Sequence, residues 1–86
     1  MVSHAITVRY FASLREALGA SETVDLAAGS TLAQLRDMLV ARGGRHAEVL
    51  MRGRALRCAL NQVMADVATP VPAGAEVAFF PPVTGG

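Results

Sequence analysis

Reactive side chains are sparse in this chain of 86 residues, and the group best suited to chemistry is its final stretch of backbone. Pro81-Pro82-Val83-Thr84-Gly85-Gly86 carries no titratable side chain, so the one ionisable group it offers is the α-carboxylate of Gly86. Gly85 and Gly86 lack a Cβ, and the backbone there can enter a slot too narrow for other residues and take φ values they avoid. Pro81 and Pro82 fix φ at about −65° and cannot donate to a sheet, which ends the strand-like run Glu76-Val77-Ala78-Phe79-Phe80 and directs the tail away from the body. Six extended residues span roughly 20 Å at about 3.3 Å each. Such a tail can carry a carboxylate deep into another protein's active site, with Pro82, Val83, Thr84 and Gly85 as the inserted segment. A frayed end is the competing account of any terminal Gly-Gly. Solvated ends, however, are rich in Ser, Lys or Glu, whereas this one is built from Pro and Val.

The remaining candidates for chemistry are few. Cys58 is the single cysteine, which excludes an internal disulfide and a multi-cysteine metal site. It could hold a persulfide, but a cysteine in an alternating strand is usually an inert packing residue. His4 and His46 are far apart in sequence, so no metal ligand set is expected. All eight basic residues are Arg and there is no Lys. Arg42, Arg45, Arg52, Arg54 and Arg57 cluster, but Glu48 and apolar residues interrupt them and no aromatic interleaves. With a net charge of +1 they read as a solvated face, and neither a nucleic-acid partner nor a membrane surface is expected.

The body that must position the tail reads as one small domain, residues 1–86, with 81–86 as its extension. At this length a single modest core is expected, with no room for a deep active site. No apolar run approaches the ~20 residues of a membrane span, and the first residues show no charged-then-apolar leader, so the expected compartment is the cytoplasm. Ala5–Phe11 alternates as a strand with Ile6, Val8 and Tyr10 on one face and Thr7, Arg9 and Phe11 on the other. Ser13-Leu14-Arg15-Glu16 has capping-box spacing and predicts a turn or two of helix in a crossover, stopped at Gly19. Ser21–Leu26 alternates again, with Val24 and Leu26 inward. Thr31-Leu32-Ala33-Gln34 offers a second capping box, and Leu32, Leu35 and Leu39 give the main helix its apolar stripe. Arg45–Met51 is ambiguous between helix and loop. Leu56–Met64 predicts a strand with a tight turn at Asn61-Gln62, Arg52-Gly53-Arg54 predicts a hairpin tip, and Val71 is expected beneath the sheet. The sum is an α+β domain, a mixed sheet packed on one main helix with short additional helices.

That order of elements resembles the β-grasp, or ubiquitin-like, fold. Within it, Glu76–Gly86, Tyr10-Phe11-Ala12 leading into Leu14-Arg15-Glu16, the Asn61-Gln62 turn and Pro70-x-x-x-Gly74-x-Glu76-Val77 resemble the molybdopterin synthase small-subunit family along essentially the whole chain. Gly85-Gly86 alone is shared with ubiquitin and the thiamine-pathway sulfur carrier, whereas Phe79-Phe80-Pro81-Pro82-Val83 is far more discriminating.

The resemblance implies that Gly86 is a sulfur-carrying residue. A ubiquitin-activating-enzyme-like adenylyltransferase would use ATP to turn its carboxylate into an acyl-adenylate. A sulfurtransferase would then supply the sulfur of a thiocarboxylate. That group would be inserted into the large synthase subunit, in a heterotetramer, to convert cyclic pyranopterin monophosphate to molybdopterin. On this reading the chain binds no cofactor and is a non-catalytic, sulfur-donating subunit, with the acid–base groups in its partner. Ordering the tail costs about 1–2 kcal/mol per residue, so the body should present an apolar docking patch. Phe80, opposite in phase to Phe79, Phe11, opposite to Tyr10, and Met64 are its candidates. Phe11 and Phe80 could alternatively be cross-strand or core residues. Other functional readings remain: a sulfur carrier for thiazole, cysteine or tRNA thiolation, a protein modifier, or a plain binding module.

Overall fold

The computed structural model describes residues 2–51 and 55–81. Pro82, Val83, Thr84, Gly85, Gly86 and the expected tip Arg52-Gly53-Arg54 lie outside the described residues.

Strict alternation makes the first strand half-buried. In β1 (Ser3–Tyr10), Ile6, Val8 and Tyr10 are buried while Ala5 and Arg9 face out. β2 (Ser21–Ala27) repeats the pattern through Val24 and Leu26 and pairs antiparallel with β1, Ile6 opposite Val24. The connection between them contains α1 (Ser13–Leu18). Two strands that pair antiparallel need no crossover, so the crossover expected for this helix is corrected to a hairpin connection. The capping box at Ser13 is also corrected. The N-cap is Ala12, with φ 54° and ψ −130°, and no side chain caps the helix. Leu14 N and Arg15 N instead donate to the carbonyls of Phe11 and Ala12 at 3.1 and 3.0 Å. The tight turn thus satisfies backbone donors that a Ser13 hydroxyl would otherwise accept from. Gly19, at φ 92°, ends the helix as expected.

The second capping box is present in full. Gln34 N donates to Thr31 Oγ1 at 3.2 Å and Thr31 N donates to Gln34 Oε1 at 2.8 Å, opening α2 (Leu32–Val40). Its stripe of Leu32, Leu35 and Leu39 is buried, and fully burying such a side chain is worth about 1.5–3 kcal/mol before entropy. The ambiguous stretch that follows is helical, α3 (Gly44–Leu50). Arg36 of α2 donates to the carbonyls of Leu50 and Met51, satisfying acceptors that the end of a helix leaves open.

β3 (Arg57–Leu60) and β4 (Val63–Met64) flank Asn61 and Gln62, whose φ values of 49° and 69° are those of a type I′ hairpin turn. Asn61 Oδ1 accepts from Glu76 N at 2.9 Å, which ties this turn to the start of β5 (Glu76–Phe80). The sheet order is β2-β1-β5-β3-β4, with β5 parallel to β1 and antiparallel to β3. One face packs its alternate residues with Leu14, Leu32, Leu35, Leu39, Leu50 and the buried Val71 into a single core. This is the expected α+β, β-grasp arrangement. Among the described residues no helix covers the opposite sheet face, and β5, whose C-terminal end leads to the tail, lies at its centre.

Candidate functional site

β5 is central, so its two faces do different work. Val77 and Phe79 enter the core, while Glu76, Ala78 and Phe80 alternate onto the open face. Register then decides their company. Arg57 pairs with Phe80, Ala59 with both Ala78 and Met64, and Arg9 with Ala78, so these residues share that face.

At its upper end the aromatic rings meet. Phe11 and Phe80 stack edge to face with centroids 6.4 Å apart, and the Arg9 guanidinium lies 5.4 Å from the centre of the Phe11 ring. Arg9 also approaches Glu76 at 3.9 Å. Phe11 is 38% exposed and Phe80 half-buried, and neither belongs to the core cluster. Their core alternative is therefore excluded, while the cross-strand contact between them is real. Phe11 reaches this position because the chain turns at Ala12 immediately after it, and Phe11 N donates to Phe79 O at 3.2 Å. Met64 is 51% exposed at the far edge, separated from β5 by Ala59. The structure thus brings Phe11 and Phe80 together and leaves Met64 as an outlying member of the same face. Pro81, directly after Phe80, is the last described residue before the tail.

Cys58 points into the core, and burial pushes its thiol up from its ordinary value. A buried thiol held protonated is a poor nucleophile, which argues against a persulfide there. Among the described residues, no three His, Cys, Asp or Glu side chains gather as a possible metal site.

Sequence reasoning missed a polar cluster behind the aromatic turn. Glu22 Oε2 accepts from Tyr10 Oη at 2.7 Å and lies 2.7 Å from His46 Nε2, while Oε1 is paired with Arg42 Nη1. Burial alone would raise the Glu22 pKa, but hydrogen bonds from His46, Tyr10 and Arg42 outweigh it and hold the carboxyl down at about 2. The Tyr10 phenol is pushed far up, first by burial and then by the neighbouring carboxylate. The cluster ties β1, β2, α3 and the turn before α3 together just below Phe11. A signal for it exists in the sequence, since Glu22 shares the inward phase of Val24 and Leu26 and an acid there needs partners.

Comparison with known proteins bears on the whole chain. The ThiS family model matches residues 8–86. The molybdopterin synthase sulfur carrier subunit of Escherichia coli (strain K12) is 42% identical over 81 residues, covering 94% of this chain and 99% of that protein. Among solved structures, small archaeal modifier protein 1 of Haloferax volcanii superposes with a TM-score of 0.74 at 26% identity, covering 93% of this chain and 99% of that one. The complex of subunits 1 and 2 of the molybdopterin-converting factor from Helicobacter pylori 26695 contains a chain that matches with a TM-score of 0.61 at 29% identity, covering 95% and 99%. No helix among the described residues is long and apolar enough to cross a membrane. The chain therefore belongs to the ThiS family, and it is similar over nearly its full length to molybdopterin synthase sulfur carrier subunits.

Proposed function

We propose that this chain is the sulfur-carrying subunit of a molybdopterin synthase, with Gly86 as the residue that is activated and loaded. The observation that supports it most is the continuity of the open sheet face with the tail: the Phe11–Phe80 pair stands directly before Pro81 on the central strand. A partner that covers those rings is placed to receive Pro82, Val83, Thr84 and Gly85 in a narrow channel.

The chemistry follows from the carboxylate. As an anion it resists attack, so an oxygen of Gly86 first displaces pyrophosphate from ATP on an adenylyltransferase, forming a mixed anhydride with AMP. A donor at the oxidation level of hydrosulfide then adds to the carbonyl carbon, and AMP leaves with the C–O bonding pair. The product is an ionised thiocarboxylate, a strong nucleophile. In the large subunit its sulfur forms a C–S bond to the cyclic pterin substrate as a C–O bond there opens, and water then cleaves the acyl–sulfur bond, which leaves the sulfur on the pterin and restores the carboxylate of Gly86. Docking on the still exposed area of Phe11 and Phe80 offsets part of the cost of ordering the tail, about 1–2 kcal/mol per residue, and backbone hydrogen bonds along the tail supply the rest.

Intact mass spectrometry tests this reading. Incubation with ATP, a sulfur donor and the adenylyltransferase should add about 16 Da, sulfur for oxygen, at Gly86 and nowhere else. No gain, or a gain that persists after Gly85 and Gly86 are removed, would overturn it. The likeness to small archaeal modifier protein 1 favours a second reading, attachment to other proteins through an isopeptide bond. Conjugates of higher mass in place of the thiocarboxylate would select it.

A further inference from the structure

Register places charges as well as rings on the open sheet face, because directly paired residues point to the same side. Arg57 of β3 stands opposite Phe80 and Arg9 of β1 lies beside Ala78, so a cation flanks β5 on each side near its C-terminal end. The acids sit further down. Glu76 pairs with Thr7, and Asp25 of β2 pairs with Ala5. The face is thus basic around the Phe11–Phe80 pair and acidic away from it. Its two cations differ in company. Arg9 lies over the Phe11 ring at 5.4 Å and approaches Glu76 at 3.9 Å. Arg57 is exposed, and among the described residues it has no ion-pair partner.

Covering the rings affects Arg57 directly. Opposed side chains on an antiparallel pair have Cβ atoms about 4.5–5.5 Å apart, so a protein surface that seals over Phe80 also takes water from the guanidinium beside it. A charge stripped of water without a counter-charge opposes docking, whereas a carboxylate placed there fills the planar guanidinium fork with two charge-assisted hydrogen bonds. We infer that the surface covering Phe11 and Phe80 is apolar at its centre and carries a carboxylate that meets Arg57. Arg57 is then a specificity residue, which admits an acid-rimmed partner and disfavours one that is basic or wholly apolar at that point. Arg9 adds to the same field from the other side of β5, partly neutralised by Glu76. On the function proposed above, on which this rests, the covering protein is the large synthase subunit.

Association kinetics of the full chain with the purified large subunit, at low and high salt, test it. Arg57→Gln should slow association about threefold at low salt, and Arg57→Glu about tenfold, because reversal removes one attraction and adds one repulsion. Both deficits should shrink at high salt, where exposed charges are screened. Arg45→Glu makes the same change in net charge from an exposed position on α3, which packs on the core side of the sheet, and should associate at the parent's rate. Phe80→Ala should instead speed dissociation and keep the parent's salt dependence. Arg57 is exposed, so its variants should keep the parent's thermal transition, and Arg57→Gln carries the test alone if reversal unfolds the strand. An Arg57 variant that folds and associates as fast as the parent, or Arg57→Glu slowed no more than Arg45→Glu, overturns the inference. A chain that gains sulfur while its Arg57 variants associate normally keeps the proposed function and loses the acidic partner. One that shows the charge dependence yet never gains sulfur keeps the acidic partner and sinks only the proposed function.

Discussion

At the scale of single residues, the group under most tension is Glu22. Its carboxylate takes bonds from Tyr10, His46 and Arg42, and these hold its pKa down from 4.5 to about 2 despite burial. A carboxyl depressed in the folded state contributes stability that is fully present above its unfolded pKa and is lost as pH falls through the folded one. The window is therefore about pH 5 down to about 2. Its side chain is 23% exposed, and the shift corresponds to at most about 3 kcal/mol at neutral pH. Chemical denaturation of Glu22→Gln should show that loss at pH 7, and the gap to the parent protein should shrink as pH falls through the window. A constant gap would mean that the glutamate acts by shape and not by charge. The same cluster braces Tyr10, and through it the position of Phe11, so its loss should loosen the docking face as well.

At the scale of elements, α2 tests how far local sequence specifies structure. Thr31 and Gln34 form a reciprocal cap from their own side chains and backbone N–H groups, while Leu32 N and Ala33 N donate to the carbonyls of Thr69 and Val67. Thr31→Ala should cost about 1 kcal/mol, read as a lower thermal midpoint with an unchanged fold. Such self-contained signals are why α2, the phases of β1, β2 and β5, and the Asn61-Gln62 turn were legible in the sequence. Where the signal depended on distant partners, reading failed. Ser13 had the spacing of a cap, but the turn at Ala12 had already satisfied the donors it would have accepted from. Arg45–Met51 became a helix because Arg36, from the preceding helix, closes its last carbonyls. Glu22 looked like one more polar strand residue until His46, 24 positions on, was folded beside it. The patch residues could be assigned by phase alone. Contact between Phe11 and Phe80 could not, since it needs β1 and β5 to be parallel neighbours.

At the scale of the whole molecule, the sheet divides labour between its faces. The core side holds the fold together through residues that include none of Phe11, Phe80 and Met64, which lie on the open side; on the function proposed above, that side is the one a partner covers. If that division holds, the two sides respond separately to mutation. Removing the Phe80 ring deletes an edge-to-face contact with Phe11 and apolar area that a docked large subunit would cover, while leaving every core residue in place. Phe80→Ala should therefore weaken affinity for the large subunit by about 1.5–3 kcal/mol, a loss of roughly tenfold to a hundredfold. Isothermal calorimetry with the purified large subunit measures the loss, and differential scanning calorimetry of the free variant should still give a single cooperative transition. A variant that instead loses its thermal transition would place Phe80 in the folding core. The open face would then be part of what holds the domain together, and docking would have to rest on the tail alone.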